Sequence, residues 1–345
     1  MTIGFLIPRS VQVVNGGVRR QATETAHHLE EHGLKVLWVE KQEDLHAIDL
    51  LHIFVASPEH RSFLSVLKSF QFEQSAMLPI VLSPVFFSPT SVGITKVKIQ
   101  AERWLHPFLK GRESEYWFKS ELCNYVDYLL PNTRDELHQV HCLFDVPTDR
   151  MQVIHNGVDR RFLHSDATLF QQRYGSEDTI LFVGQAGSTR KNIKRLLEIT
   201  PKLPARLVVI GDFGEDSYSS SCRSLMQKYG VLHIPNLKHE DPLLASAYAS
   251  AKVFVLPSLF ETPGIAAMEA ALAGAQIALT ERGGTHEYFG DQASYLNPYS
   301  HQSILNAIID AYKRKDVGLR DRMATTFSWD RIAKNTLSVY QRIIG

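Results

Sequence analysis

Cysteine is scarce: Cys123, Cys142 and Cys222 are the only three in 345 residues, and no two stand in a CxxC spacing. An odd, scattered set excludes a disulfide framework and a cysteine-built zinc site, and a reducing compartment follows. Net charge is also missing, with 37 basic against 37 acidic side chains. A chain that gripped nucleic acid with its whole surface would not balance in this way. No apolar run reaches the roughly 18 residues that a membrane span requires. The first residues, MTIGFLIPRS, lack basic side chains ahead of their apolar stretch and read as a strand, so a signal peptide is not expected. Two signatures fail as well. No GxGxxG follows the first strand, which disfavours a dinucleotide-dependent oxidoreductase. No Asp-x-Asp pair occurs anywhere, so the usual metal bridge to a nucleotide diphosphate has no signature.

What is present is length and alternation. A single core stops growing at about 250–300 residues, so 345 residues imply two domains. Short apolar runs alternate with amphipathic helical patterns throughout. Strands are expected at 3–7, 35–39, 50–55, 79–82, 128–130 and 152–154, and again at 180–183, 206–210, 231–234, 253–256 and 276–279. Between them lie helical faces such as Val18, Ala22, Thr25, Ala26 and Leu29. This alternation predicts α/β architecture with two doubly wound parallel sheets, whose ligands sit beyond the carboxyl ends of the strands. The Asn-Gly turn in His155-Asn156-Gly157-Val158-Asp159 marks the boundary, giving domains over 1–157 and 158–327. An amphipathic helix over 328–345 follows the second sheet and is free to pack on the first domain.

Three strand-to-helix turns carry candidate chemistry. In Pro257-Ser258-Leu259-Phe260-Glu261-Thr262-Pro263-Gly264-Ile265, Thr262 reads as a helix cap and Pro263 as the first helical residue. The amides of Gly264 and Ile265 would then donate to an anion at the positive helix end. Glu261 precedes that opening, and Glu269 lies beside the apolar stripe Ile265, Met268 and Leu272, where a carboxylate needs a partner. Singly, Glu261 could be a surface acid complementing the dipole and Glu269 an ion-pair member. Together, around a glycine-bearing helix start, they point to a site. The second turn, Gly184-Gln185-Ala186-Gly187-Ser188-Thr189-Arg190-Lys191, places Arg190 and Lys191 at a strand's carboxyl end. Between Gly187 and Arg206 stand six basic residues and one acidic, a composition suited to a diphosphate. Lys194, Lys202 and Arg206 fit a solvated helix face. The third turn, Asn15-Gly16-Gly17, lets backbone amides approach a phosphate, although most Gly-Gly pairs are turns only.

These residues resemble the retaining glycosyltransferases of family 4. The resemblance rests on Gly16-Gly17 after the first strand, the His155–Asp159 junction and Arg190-Lys191-Asn192. It rests also on Glu261 and Glu269 in E-x7-E spacing and on the closing Phe327-Ser328-Trp329 with its helix. The resemblance implies the GT-B fold: two Rossmann-like domains facing across a cleft, with the C-terminal helix crossing back to the first domain. It implies a nucleotide-diphosphate sugar, UDP- or GDP-linked, as donor in the second domain and no separate cofactor or metal. Glu261 would face the transferred sugar, Glu269 the ribose, Arg190 and Lys191 the diphosphate, and Gly17 the distal phosphate. Gly264 and Ile265 would offer amides to the sugar or phosphate. Two departures stand out. Gln185 occupies a position where the family often has arginine, and Leu82-Ser83-Pro84-Val85 stands where it commonly has a histidine. His106, the next histidine downstream, falls in a helical pattern and reads as structural.

The expected reaction is transfer of a hexose, with retention and without metal, to a hydroxyl of a glycan or lipid-linked acceptor bound by the first domain. Between Gly93 and Glu121, the cations Lys96, Lys98, Arg103, Lys110, Arg112 and Lys119 alternate with Trp104, Leu105, Phe108, Leu109, Trp117 and Phe118. Such a surface suits peripheral contact with anionic lipid from the cytoplasmic side. It equally suits a helical pair with one face in the core, and Glu102, Glu113 and Glu115 dilute its charge. A GT-B-fold sugar-nucleotide epimerase and a non-catalytic nucleotide-sugar or glycan-binding module share the same cleft and stand as alternatives.

Overall fold

A computed structural model describes the chain except for residues 14–15, 74–76, 106–114 and 316–317. The chain forms two units, one of Met1–Gly157 with Trp329–Gly345, the other of Val158–Ser328.

The first unit is built on a parallel sheet of β1 (Thr2–Leu6), β2 (Lys35–Trp38), β3 (Leu50–Phe54), β4 (Ile80–Ser83) and β5 (Tyr128–Leu129), in the order β2-β1-β3-β4-β5. The central strand β3 is buried along its whole length, as a strand covered on both faces must be. Residues 152–154, expected as a strand, are not one. Met151 makes a single bridge to Leu129, and the amides of Gln152 and Ile154 donate to Leu129 and Pro131. This stretch borders β5, which is itself only two residues long and offers too short a ladder to extend. The helix Trp329–Ile344 belongs to this unit and packs on the helix Gly17–Glu31. Its Tyr340 hydroxyl bonds Nδ1 of the fully buried His52 on β3, whose Nε2 lies 2.9 Å from Ser83 Oγ on β4.

The second unit holds β6 (Thr179–Val183), β7 (Arg206–Ile210), β8 (Leu232–Ile234), β9 (Ala251–Leu256), β10 (Gln276–Thr280) and β11 (Ser294–Leu296), all parallel, in the order β11-β10-β9-β6-β7-β8. Numbered within the unit this is 3-2-1-4-5-6, the Rossmann order, and its direction reverses between β6 and β9. One connected group of helices comprises Ile193–Glu198, Ser217–Tyr229 and His301–Lys313, the first packed on each of the other two. Thr168–Tyr174, Pro242–Ser250, Ile265–Ala273 and Leu319–Thr326 form another. The strand β11 was not expected from the sequence. Ser294-Tyr295-Leu296 is three residues long and begins with a polar one, so it offers no apolar run.

Both units therefore show the predicted α/β class with parallel sheets. Among the described residues no helix is long and apolar enough to cross a membrane.

Candidate functional site

In an open parallel sheet the ligand crevice lies beyond the carboxyl ends of the strands where the order reverses. In the second unit those ends are the loops after β6 and β9, and they carry Arg190, Lys191 and Glu261. The loop after β6 closes in a short 3-10 turn over Thr189–Lys191, and Asn192 follows it in the left-handed conformation (φ 57°). The buried Asn192 amide donates to the carbonyls of Pro257 and Pro298, at 3.0 and 2.8 Å. It thereby ties this loop to the ends of β9 and β11. The Leu259 amide donates to the Arg190 carbonyl at 2.8 Å, which joins the two loops directly.

Glu261 is 6% exposed. Its Oε1 accepts from Lys191 Nζ at 2.7 Å and from Arg190 Nη1 at 3.2 Å. Burial alone would raise the carboxyl's pKa. The charges of Lys191 and Arg190 outweigh it, with a smaller pull from the Ser258 hydroxyl, and bring it down to about 2. Burial pushes the Lys191 ammonium the other way, below its ordinary value, and the Glu261 charge opposes that. Arg190 has further anchors, donating to the Phe260 carbonyl at 2.9 Å and lying 5.3 Å from the Phe260 ring centre. The sequence motifs of the two turns thus converge on one carboxylate oxygen.

The backbone of Glu261 is held as firmly as its side chain. Its amide donates to Arg282 and its carbonyl accepts from Gly284, both at 3.1 Å, forming a bridge with Gly283. A Cβ on Gly283 would sit 2.0 Å from the Glu261 carbonyl oxygen, and φ there is +95°. Only glycine allows that approach. Gly283 escaped the sequence reading, because its role lies in a backbone 22 residues away that no local pattern announces.

The following helix starts later than expected. Thr262 is not its cap and Pro263 not its first residue. Gly264, left-handed at φ 79°, is the N-cap of Ile265–Ala273. Two residues of turn intervene because Glu261 is still pinned to the β10 loop. Gly264 and Ile265 retain first-turn amides, which no helix can satisfy from within. Glu269 lies two turns on, on a helix buried from Ala267 to Ala273. Its Oε2 accepts from the Tyr248 hydroxyl at 2.9 Å and its Oε1 lies 3.0 Å from His239 Nε2. Phe162 stands edge-on to both rings, 5.3 and 5.4 Å away. The partner that the sequence required for Glu269 is therefore real. Its identity was not legible, since His239 and Tyr248 come from separate segments with no motif spacing.

Gly16 and Gly17 lie in the first unit, where Gly16 is the N-cap of the helix Gly17–Glu31. Asn15 lies outside the described residues. On the helix Val92–Leu105, Ile94 and Val97 are each 66% exposed and Trp104 is 74% exposed. Phe118, expected on the same surface, is buried in the core instead, and Lys119 Nζ pairs with Glu115 and lies over the Phe86 ring. His106, Phe108, Leu109, Lys110, Arg112 and Glu113 lie outside the described residues.

Residues 168–326 match the family described as Glycosyl transferases group 1. Arg190, Lys191, Glu261, Gly264, Ile265 and Glu269 all fall inside the matched residues, and Gly16 and Gly17 fall outside them. An uncharacterized glycosyltransferase of Methanocaldococcus jannaschii is 28% identical over 226 residues, covering 59% of this chain and 57% of that protein. A D-inositol 3-phosphate glycosyltransferase of Nocardioides sp. is 29% identical over 250 residues, covering 63% and 54%. The chain thus spans little more than half the length of these relatives. Among solved structures, sucrose-phosphate synthase from Thermosynechococcus elongatus has a TM-score of 0.75 at 16% identity, covering 99% of this chain and 98% of that one. HepE of Anabaena in complex with UDP-glucose has a TM-score of 0.73 at 15% identity, covering 99% and 100%. These two establish the fold, GT-B.

Proposed function

We propose that the chain transfers a hexose from a nucleotide-diphosphate sugar, UDP- or GDP-linked, to a hydroxyl of a glycan or lipid-linked acceptor, with retention of configuration. The observation that carries this reading is the convergence of Arg190, Lys191 and Glu261 at the β6/β9 reversal of the second unit. Two cations beside helix-start amides can neutralise a departing diphosphate without a metal, and preorganised charge of this kind lowers the barrier to its departure. Glu261 positions the sugar, Glu269 holds the ribose, and Gly264 and Ile265 donate amides to the sugar or phosphate. UDP-glucose bound to HepE, a structure of the same fold, supports a donor of this class.

Incubation with UDP- and GDP-linked hexoses tests it. Free nucleotide that accumulates only with acceptor supports transfer. An isomerised donor would mean epimerisation, and binding without chemistry a non-catalytic module. The Arg190→Ala, Lys191→Ala double variant should lose most turnover, whereas Glu269→Ala should mainly raise the KM for donor. Unaltered turnover in the double variant would remove the diphosphate assignment.

A lipid-linked acceptor is favoured by the exposed face of Ile94, Val97 and Trp104, which repeats at helical spacing beside Lys96 and Lys98. Flotation with vesicles containing anionic lipid should recover the protein, and Trp104→Ala should weaken recovery. Equal recovery with neutral vesicles would remove the role of anionic lipid, and no recovery with either would end the peripheral-membrane reading.

A further inference from the structure

We propose that Glu261 is an internal counter-ion for the diphosphate site: it holds Lys191 and Arg190 while the site is empty, and a nucleoside diphosphate must displace it from Lys191 in order to bind. This rests on the reading of Arg190 and Lys191 as the diphosphate's partners, and adds what sets the strength and reversibility of that grip.

The argument begins with burial. Glu261 and Lys191 side chains are 8% and 13% exposed, so neither charge could stand there alone. A site built to receive a diphosphate in so dry a place must supply its own anion whenever the ligand is absent. Glu261 does so with a single oxygen shared between two cations. The two cations are not held alike. Arg190 keeps the Phe260 carbonyl and ring when Glu261 lets go. Lys191 Nζ has Glu261 as its one hydrogen-bond partner among the described residues. Lys191 is therefore the cation that changes partner, and Arg190 the one that stays.

Charge arithmetic gives the consequence. Two cations and one carboxylate leave the empty site at a net single positive charge. A diphosphate carries more negative charge than the carboxylate it displaces, so it wins Lys191 but meets Glu261 as a like charge nearby. Affinity is held down, and the product diphosphate leaves as Glu261 recaptures the ammonium. Removing the carboxylate should tighten diphosphate binding, although it removes a group assigned to the sugar.

The test is calorimetric titration of UDP and GDP, with uridine and guanosine as uncharged controls, at fixed ionic strength. Four proteins are compared: wild type, Glu261→Gln, Arg190→Met and the double variant Arg190→Met, Glu261→Gln. Glu261→Gln should bind the preferred diphosphate about tenfold more tightly, Arg190→Met about tenfold more weakly, and the double variant near wild type. Nucleoside binding should be the same in all four. A double variant weaker than Arg190→Met overturns the counter-ion role, as does Glu261→Gln binding no tighter than wild type. If Glu261→Gln fails to fold, because it strands the Lys191 charge, the comparison of Arg190→Met with the charge-balanced double variant decides alone. Failure of the underlying reading looks different: Arg190→Met would then bind diphosphate as wild type does, and diphosphate would bind no better than nucleoside.

Discussion

Asn192 shows how much of the candidate site depends on a buried side chain bonded to backbone. Its left-handed backbone is unfavourable for most side chains, and its amide closes two carbonyls from different strand ends. Asn192→Ala should cost about 3 kcal/mol in urea unfolding, the sum of the left-handed penalty and two carbonyls left unpaired. Asn192→Gly relieves the backbone but not the carbonyls, and should recover only part of that loss. Equal stability of the two variants would mean that the left-handed backbone costs alanine nothing, and an Asn192→Gly protein as stable as wild type would mean that the side-chain bonds contribute nothing. The neighbouring Arg190 and Lys191 were legible because adjacent cations at a strand's carboxyl end are a local pattern. Asn192 shares their triplet, yet its work is done on Pro257 and Pro298, and tertiary geometry alone reveals it.

At the scale of elements, the strands whose apolar runs fill both faces were the legible ones. Ile180–Val183 and Arg206–Ile210 are expected and observed within a residue. The short strand β11 and the late start of the helix Ile265–Ala273 were not, since both are decided by neighbours: pairing with β10 in one case, the Glu261–Gly283 bridge in the other. That bridge gives a sharp expectation. Gly283→Ala would drive a methyl against the Glu261 carbonyl at a backbone angle that alanine resists. We expect about 2–4 kcal/mol of destabilisation and loss of turnover exceeding the loss of donor affinity, because the loop that carries Glu261 must shift. Turnover unchanged in a folded Gly283→Ala protein would show that the bridge does not position Glu261.

On the scale of the whole molecule, the first unit is closed by its own far end. Gly157 leaves the unit where Trp329 returns to it, so near that a Cβ on Gly157 would sit 2.5 Å from the indole. The returning helix is then fastened at Tyr340 to His52, linking β3, β4 and a segment 288 residues away. Burial lowers the His52 pKa from 6.5 to about 3, so the ring stays neutral in the folded unit when an unfolded chain would protonate it. Unfolded protein binds the extra proton between these values, so stability is fully present above about 6.5 and declines as pH falls toward 3. The slope from this one ring approaches about 1.4 kcal/mol per pH unit. Glu261 acts in the other unit and lower on the scale. Its carboxyl, depressed from 4.5 to about 2, contributes stability above 4.5 that is lost as pH falls through 2. Acid should therefore weaken the first unit while the ion pairs of Glu261 in the second are still intact. Urea unfolding of wild type and His52→Gln from pH 7 to 4.5 measures this, the variant losing the slope along with some stability at neutral pH. Parallel profiles for the two proteins would mean that His52 is not the group that makes the fastening of the C-terminal helix sensitive to acid.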